Sequence, residues 1–381
     1  MNLCHFEQYH NNSTMLIKEL TSFLEQIAPP QYQESYDNAG LIVGDANAVV
    51  KGVIVCLDST EAVIAEAVAL GCNVVIAHHP IVFKGLKRLN GKNYVERTVI
   101  AAIKNDVAIY AIHTNLDNMY RNGVNRKIAE KLGLTQLRIL APKKQLLMKL
   151  TTFVPVKNTQ TVLNALYEAG AGQIGEYKNC SFRTEGIGSF TPTGTANPHI
   201  GSLGNDEEVT EHRIEVVFPA FLDSKILAAL KNAHPYEEVA YYLHLLENEN
   251  PEVGSGIIGE LAQAMAASEF LQFLKDTMRA GCVRYTAPLT TAQTIKKVAV
   301  CGGAGGFLLG HAIGAGADVF VTADYKYHEF FDADGQIMIA DIGHYESEQF
   351  TIDLLTDMVQ KQFKNLKVFS TKIFTNPVNY L

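Results

Sequence analysis

Three runs in the first third of the chain constrain its fold most: VIVCLD (53–58), NVVIAHH (73–79) and VAIYAIHTNLD (107–117). Each begins as a strand that is apolar at successive positions rather than at every second one. A strand with two apolar faces must be covered on both, as in a parallel sheet lying between helices. The intervening segments supply the helices. The run after VIVCLD is opened by Ser59 or Thr60 and closed by Gly71. Upstream, Leu16, Ile17, Leu20, Phe23, Leu24 and Ile27 recur at helical spacing behind the capping candidates Ser13 and Thr14. Pro29-Pro30 stops that helix.

The same pattern returns near the end in KKVAVCGG (296–303), ADVFVTAD (317–324) and QIMIADIGH (336–344). A long amphipathic helix is expected from about 345 to 363, and LKVFSTKIF (366–374) reads as a last strand. The middle differs. LMKLTTFVP (147–155), NCSFRTEG (179–186), HRIEVVFP (212–219) and EVAYYLHLLE (238–247) read as strands. TQTVLNALYEAG (159–170) and DSKILAALKNA (223–233) read as helices, and a Gly/Pro/Thr-rich excursion separates the second and third strands. That order, β-α-β-β-α-β, is the ferredoxin-like arrangement. The expected architecture is therefore an α/β domain with a mostly parallel sheet, split between residues 1–141 and 256–381, with a ferredoxin-like domain inserted at 142–255. The junctions fall at Ala141-Pro142-Lys143-Lys144 and in Asn248 to Gly256. Such an insertion is tolerated where the host's loop ends lie close together.

Composition narrows the function classes. The 381 residues suit two to three domains, and 47% hydrophobic with 19% charged residues suits globular cores. Asp+Glu exceed Lys+Arg by 40 − 32 = 8. The resulting net charge of −8 argues against a general nucleic-acid surface and against one made for anionic lipid. The start, MNLCHFEQYHNNST, lacks the basic-then-apolar order of a secretory signal. No apolar stretch reaches the ~18 residues of a membrane span. Six cysteines without a Cys-x-x-Cys pair read as reduced, mostly buried thiols of a cytoplasmic protein.

Histidine and carboxylate placement carries the chemistry. His78-His79 ends one predicted strand, Asp117 follows His113 by four residues, and His344 precedes Glu348 by one helical turn. All lie at the carboxyl ends of predicted strands, where open α/β sheets form ligand sites. One histidine there would ordinarily be a core or surface residue. Several segments delivering imidazole and carboxylate to one edge point to a metal. Imidazole suits Zn, Fe, Mn, Ni or Cu, and carboxylates add hard oxygens that can bridge two ions. Adjacent residues of a strand face opposite ways. At a strand end followed by Pro80, however, the chain can turn and aim His78 and His79 at different ions. No cysteine joins the set, which excludes a structural Cys-type zinc site.

IAHHP (76–80), HTNLD (113–117) and GHYESE (343–348), with YDNAGLIVGD (36–45) and VTADYKYHEFF (321–331), resemble the signatures of the Nif-three-like dinuclear metal-centre family. Members of that family are named GTP cyclohydrolase type 2 homologs, and the resemblance covers essentially the whole chain. The insert, with HPYEEVAYY (234–242), looks like that of longer members and is similar in fold to PII-like and divalent-cation-tolerance proteins. The resemblance implies that His78, His79, Asp117, His344 and Glu348 hold two divalent ions (Zn, Fe, Mn or Co), with Asp117 and Glu348 bridging. It implies a further ligand or a supporting partner in His113. It also implies a homohexameric ring with the metals facing an inner cavity. One stretch departs from the family. Many members are glycine-rich after the motif glutamate, whereas this chain reads Ser347-Glu348-Gln349-Phe350. Glu346 competes with Glu348, but at i+2 from His344 it points elsewhere on the helix.

Further candidates surround this set. His113 and His328 are the candidate catalytic acid/base residues. Lys84, Asp324 and Lys326 are either substrate-binding groups or solvated loop residues. CGGAGG (301–306) could cradle phosphate at a helix start, but it lacks a Gly-Lys-Ser/Thr ending and a clean G-x-G-x-x-G. A tight strand-to-helix turn is the better reading. His234 reads as part of a helix stop, and His5 and His10 as terminal residues. The expected function is a metal-dependent hydrolase acting on a small nucleotide or phosphoester substrate. Its rival is a non-catalytic protein that stores, senses or delivers metal; turnover separates the two.

Overall fold

A computed structural model describes residues 15–287 and 293–381, so Cys4, His5, His10, Ser13 and Thr14 lie outside the described residues. The first helix, Ile17–Ile27, buries Ile17, Leu20, Phe23 and Leu24 at the expected spacing. The strands β1 (Gly40–Val43), β2 (Val53–Asp58), β3 (Val74–His79), β4 (Ala108–Ala111) and β5 (Thr135–Pro142) follow. β2, β3 and β4 pair in parallel. Both faces of β2 and β3 are buried along nearly their whole length, which their continuous apolar sequence requires. Between β2 and β3 the helix Glu61–Ala69 is capped by the Thr60 hydroxyl, which accepts from Val63 N–H at 3.3 Å. Gly71 leaves that helix at φ +70°, where a side chain would be strained.

A separate compact unit, Pro142–Glu252, interrupts the chain. Its strands are β6 (Leu147–Pro155), β7 (Phe182–Phe190), β8 (Glu207–Pro219) and β9 (Tyr241–Leu246), hydrogen-bonded in the order β7-β8-β6-β9. All pairs are antiparallel. The helix Thr159–Ala169 follows β6 and Asp223–Ala233 follows β8. Leu150, Val154, Ile214, Val216 and Phe218 meet the two helices in one core.

The host unit resumes at Val253. It contributes β10 (Gly254–Ala266), β11 (Arg284–Tyr285), β12 (Thr294–Ala304), β13 (Val319–Ala323), β14 (Met338–Asp341) and β15 (Val368–Ser370). The host holds two sheets rather than one mostly parallel sheet: β1-β4-β3-β2-β15 and β11-β14-β13-β12-β10-β5. Each is parallel at its centre, while β1, β10 and β11 pair antiparallel. The two stretches of chain exchange edges, because β15 pairs with β2 and β5 lies beside β10. A shared core joins the sheets, with Val55 and Ile76 of one and Val300 and Val321 of the other in a single apolar cluster.

The helix expected over 345–363 is two helices, His344–Glu348 and Thr351–Gln362. The interruption seats Phe350, 4% exposed, in the core. It also directs the second helix along β15, where Thr356 Oγ1 lies 2.9 Å from Ser370 Oγ. Among the described cysteines Cys56, Cys72 and Cys301 are buried, Cys180 is half-buried and Cys282 is exposed; all five are free thiols. Among the described residues no helix is long and apolar enough to cross a membrane.

Candidate metal centre

The carboxyl ends of the parallel strands in both host sheets converge on one cluster. β3 ends on His78 and His79, and Pro80 turns the chain there. His78 is fully buried. Its Nδ1 donates to the Ile112 carbonyl at 2.9 Å, leaving Nε2 as a bare lone pair. That Nε2 and the Oδ1 of Asp117, 3.5 Å apart, are both buried without a hydrogen-bond partner. The other imidazoles repeat the arrangement. Nδ1 of His79 faces Asp58 at 2.9 Å, Nδ1 of His113 faces Asp37 at 2.8 Å, and Nδ1 of His344 faces Asp324 at 2.7 Å. A partner oxygen on one ring nitrogen fixes the tautomer and aims the other nitrogen, as in metal sites.

Glu348 stands at the centre, 2% exposed. Its Oε1 lies 3.8 Å from His78 Nε2, on the side of Asp117. Its Oε2 lies 2.9 Å from His79 Nε2 and 3.2 Å from His344 Nε2. Three groups of side chains are close enough to hold an ion: His78 with His79 and His113, His79 with His344 and Glu348, and His78 with Asp117 and Glu348. The glycine loop makes this approach possible. Gly303 has φ +63°, and a Cβ there would come within 2.6 Å of Glu348 Oε1. The Gly302 and Gly303 N–H groups donate to Asn125 Oδ1 and Ser347 Oγ, both at 2.9 Å. CGGAGG is thus a close-packed turn whose first amides are spent on protein.

Charge in the cluster is balanced by protons. Burial alone would lower the pKa of His79, but Glu348 and Asp58 outweigh it and push it up to about 10. Burial opposes the charged form of His344 as well, yet Glu348 and Asp324 carry it up to about 11. Burial of Glu348 is in turn outweighed by His344 and His79, which hold its carboxyl well below the usual range. His78 goes the other way, its pKa lowered by burial, so it presents a neutral imidazole. Burial and the Glu348 charge raise Asp117. Asp37, despite burial, is pulled down to about 2 by its bonds from His113 and Thr114. These protons stand where a cation would serve equally, and metal binding displaces protons from such ligands.

The structure therefore brings together all five predicted ligands and His113. His328 stands apart. The chain leaves β13 through Asp324, in the left-handed region at φ +60°, and carries His328 to an exposed position beside the rings of Tyr327 and Phe331. Lys84 and Lys326 are exposed and do not line the cavity of about 800 Å³ that opens over the cluster. Arg284, bonded to the buried Asp341, does line it. Glu346 lines the cavity but belongs to none of the ligand groups, and it accepts from Asn376 Nδ2 at 3.1 Å. His234 ends its helix as expected, bonding the Phe153 carbonyl at 2.9 Å. Sequence reasoning missed Asp37, Asp58 and Arg284. Asp58 had a signal, since it ends a strand at the same edge as His79.

Comparison with known proteins gives the chain its family. A bacterial relative from Bacillus subtilis, named GTP cyclohydrolase 1 type 2 homolog, is 38% identical over 369 residues, 96% of this chain and 98% of its own. One of the same name from Halalkalibacterium halodurans is 38% identical, covering 94% of this chain and 96% of its own. Among solved structures, a Bacillus cereus protein related to NIF3 superposes with a TM-score of 0.85 at 36% identity, covering 97% of this chain and all of its own. The sequence pattern of one family matches residues 15–377. The chain belongs to that family, Duf34/NIF3 (NGG1p interacting factor 3).

Proposed function

We propose that the chain is a dinuclear metal-dependent hydrolase acting on a nucleotide or related phosphoester. The observation that carries this is the placement of Glu348, whose two oxygens face two different donor sets, His78 with Asp117 and His79 with His344. The orphaned Nε2 of His78 and Oδ1 of Asp117 fit the same reading, because buried polar atoms need partners. His78, His79, Asp117, His344 and Glu348 would hold two divalent ions of the Zn, Fe, Mn or Co type. Bound there, the ions would supply Lewis acidity and bring water toward neutral pKa.

The chain's own groups do the rest. His113, fixed through Nδ1 by Asp37, has Nε2 available to take or give a proton. Arg284 places a permanent cation on the cavity wall for an anionic substrate group. Tyr36, Phe83 and Phe307 add exposed aromatic surface to the rim of the same cavity. The relatives' name makes GTP the first nucleotide to assay. The same reading takes the inserted unit as ferredoxin-like, supported by its β-α-β-β-α-β order and the strand order β7-β8-β6-β9. A homohexamer and a cytoplasmic location belong to it through family resemblance.

The test measures metal per chain and turnover of GTP and simple phosphoesters by the native protein, His79→Ala and Arg284→Ala. His79→Ala should lose metal and activity together, and Arg284→Ala should raise KM for charged substrates while metal content stays intact. Full activity in His79→Ala would remove the metal from the reaction. Retained metal without turnover of any substrate would favour storage or delivery.

A further inference from the structure

The HPYEEVAYY segment plays no part in the metal cluster, yet it walls a second cavity, about 890 Å³, wholly within the inserted unit. One face of that unit's sheet carries the helices. Alternation along the strands sends Phe153, Glu211, Arg213 and Glu215 to the other face. There the cavity lies between the sheet, the Gly/Pro/Thr-rich excursion after β7, and residues 236–240.

Glu211 is the notable group. It is 7% exposed and lies within the cavity lining. Its Oε1 accepts from the Tyr236 hydroxyl at 2.8 Å. Burial and Glu211 raise the Tyr236 pKa, so the hydroxyl stays a donor. Among the described residues no cation lies within ion-pair distance of Glu211. Arg213 and Lys149 are both committed to Glu215, at 2.6 and 3.3 Å. Glu185, Glu237 and Glu238 add further negative charge to the lining. A buried carboxylate is costly without a counter-ion.

The walls and floor are also distinctive. The rings of Phe190 and Tyr236 meet edge to face at 6.0 Å, and His199 lies 6.4 Å from Tyr236. Aromatic faces attract cations. β7 carries Gly186 and Gly188 on the same face, with Gly186 directly opposite Glu211 in the register. Gly188 accommodates the carboxylate, since a Cβ there would sit 2.3 Å from Glu211 Oε2, whereas a Cβ at Gly186 would meet open space. Glycines inside a strand mark sites of close approach, here by the carboxylate at one position and an open surface at the next.

We propose that the inserted unit binds a small organic cation, an ammonium or amidinium group on a flat apolar body, with Glu211 as its counter-ion and Tyr236 and Phe190 as its walls. The cation supplies the counter-charge missing beside Glu211, a planar amidinium matches a carboxylate with two parallel N–H donors, and the apolar body covers the aromatic floor.

Titration calorimetry of the full chain with benzamidinium tests this, with neutral benzamide and anionic benzoate as controls of similar shape. Benzamidinium should bind once per chain, benzamide about tenfold more weakly, and benzoate not measurably. Glu211→Gln should weaken benzamidinium about tenfold, by removing a charged partner. Gly186→Val should abolish binding without lowering the melting temperature, because its Cβ enters open space over the sheet; this variant decides the matter if Glu211→Gln does not fold. His79→Ala, in the other cavity, should bind benzamidinium as the native chain does. Equal binding of benzamide, full affinity in Gly186→Val, loss of binding in His79→Ala, or no binding of benzamidinium at millimolar concentration would each overturn the proposal.

Discussion

Glu348 in the host unit and Glu211 in the inserted unit are both carboxylates withdrawn from water, and they are neutralised differently. Glu348 has three imidazole nitrogens within 4 Å, and each imidazole is steadied by an oxygen behind it. Glu211 has one neutral hydroxyl and aromatic rings. The host cluster is self-sufficient as long as protons occupy it, and exchangeable cations can take their place. Among the described residues no imidazole lies within ion-pair distance of the inserted cavity's carboxylate; His199 and His234 pack against Tyr236 instead. The difference lies in histidine, whose pKa lets it hold either a proton or a metal near neutrality.

The comparison can be broken most severely at its centre. Glu348→Ala removes the one side chain common to both sets around its two oxygens. Metal retained after purification should fall from about two ions per chain to none, read by elemental analysis. Retention of both ions would show that Glu348 is a counter-ion only.

A smaller effect should follow from the outer oxygens. Asp324→Asn keeps the left-handed backbone position that asparagine tolerates but removes the charge facing His344. Metal affinity should drop about 10- to 100-fold by competition with a chelating dye. The pH dependence has a definite sign. His79 and His344 carry pKa values raised to about 10 and about 11, so in the absence of metal both are protonated at neutral pH. Metal uptake must release those protons, and affinity must rise with pH by up to about tenfold per unit for each proton displaced. Calorimetry in two buffers of different ionisation heat counts them. Uptake without proton release would contradict the balance described for the cluster.

The smallest effects come from one glycine in each region. Gly303→Ala forces a side chain into φ +63° against Glu348 and should cost about 1–3 kcal/mol in chemical unfolding. Gly186→Ala adds a methyl to open strand surface and should be neutral or stabilising by about 0.5–1 kcal/mol. Equal effects would mean that the tight and open packing inferred for the two sites does not govern them.

Much of the host was legible in sequence because its signals are local. Val53 to Leu57 and Val74 to Ala77 are buried on both sides, and strands buried on both faces are written chiefly in apolar residues. The i, i+4 relation of His344 and Glu348 was equally readable, since one helical turn sets it. The break at Gln349–Phe350 was not, because the apolar period continues through it and only the seat for Phe350 in the core ends the helix. His328 and Lys84 share the local features of site residues, and only the path of the chain after each strand carries them to solvent. Asp37 was unreadable as a partner, for it lies 76 residues from the histidine it orients; Asp58, 21 residues from His79, was marked only by its place at the same strand edge.

The sequence by itself determined which segments are strands and helices and which edge of the strands carries imidazole and carboxylate. These follow from side-chain periodicity, which acts over a few residues. Only the tertiary structure decided that the host builds two sheets, that each stretch of chain completes the other's edge, and that the oxygens of Glu348 face separate donor sets. It alone decided that Glu211 is buried with no cation within ion-pair distance among the described residues. Those facts depend on pairings between residues far apart in the chain, selected by hydrogen-bond register and by the burial of shared apolar surface.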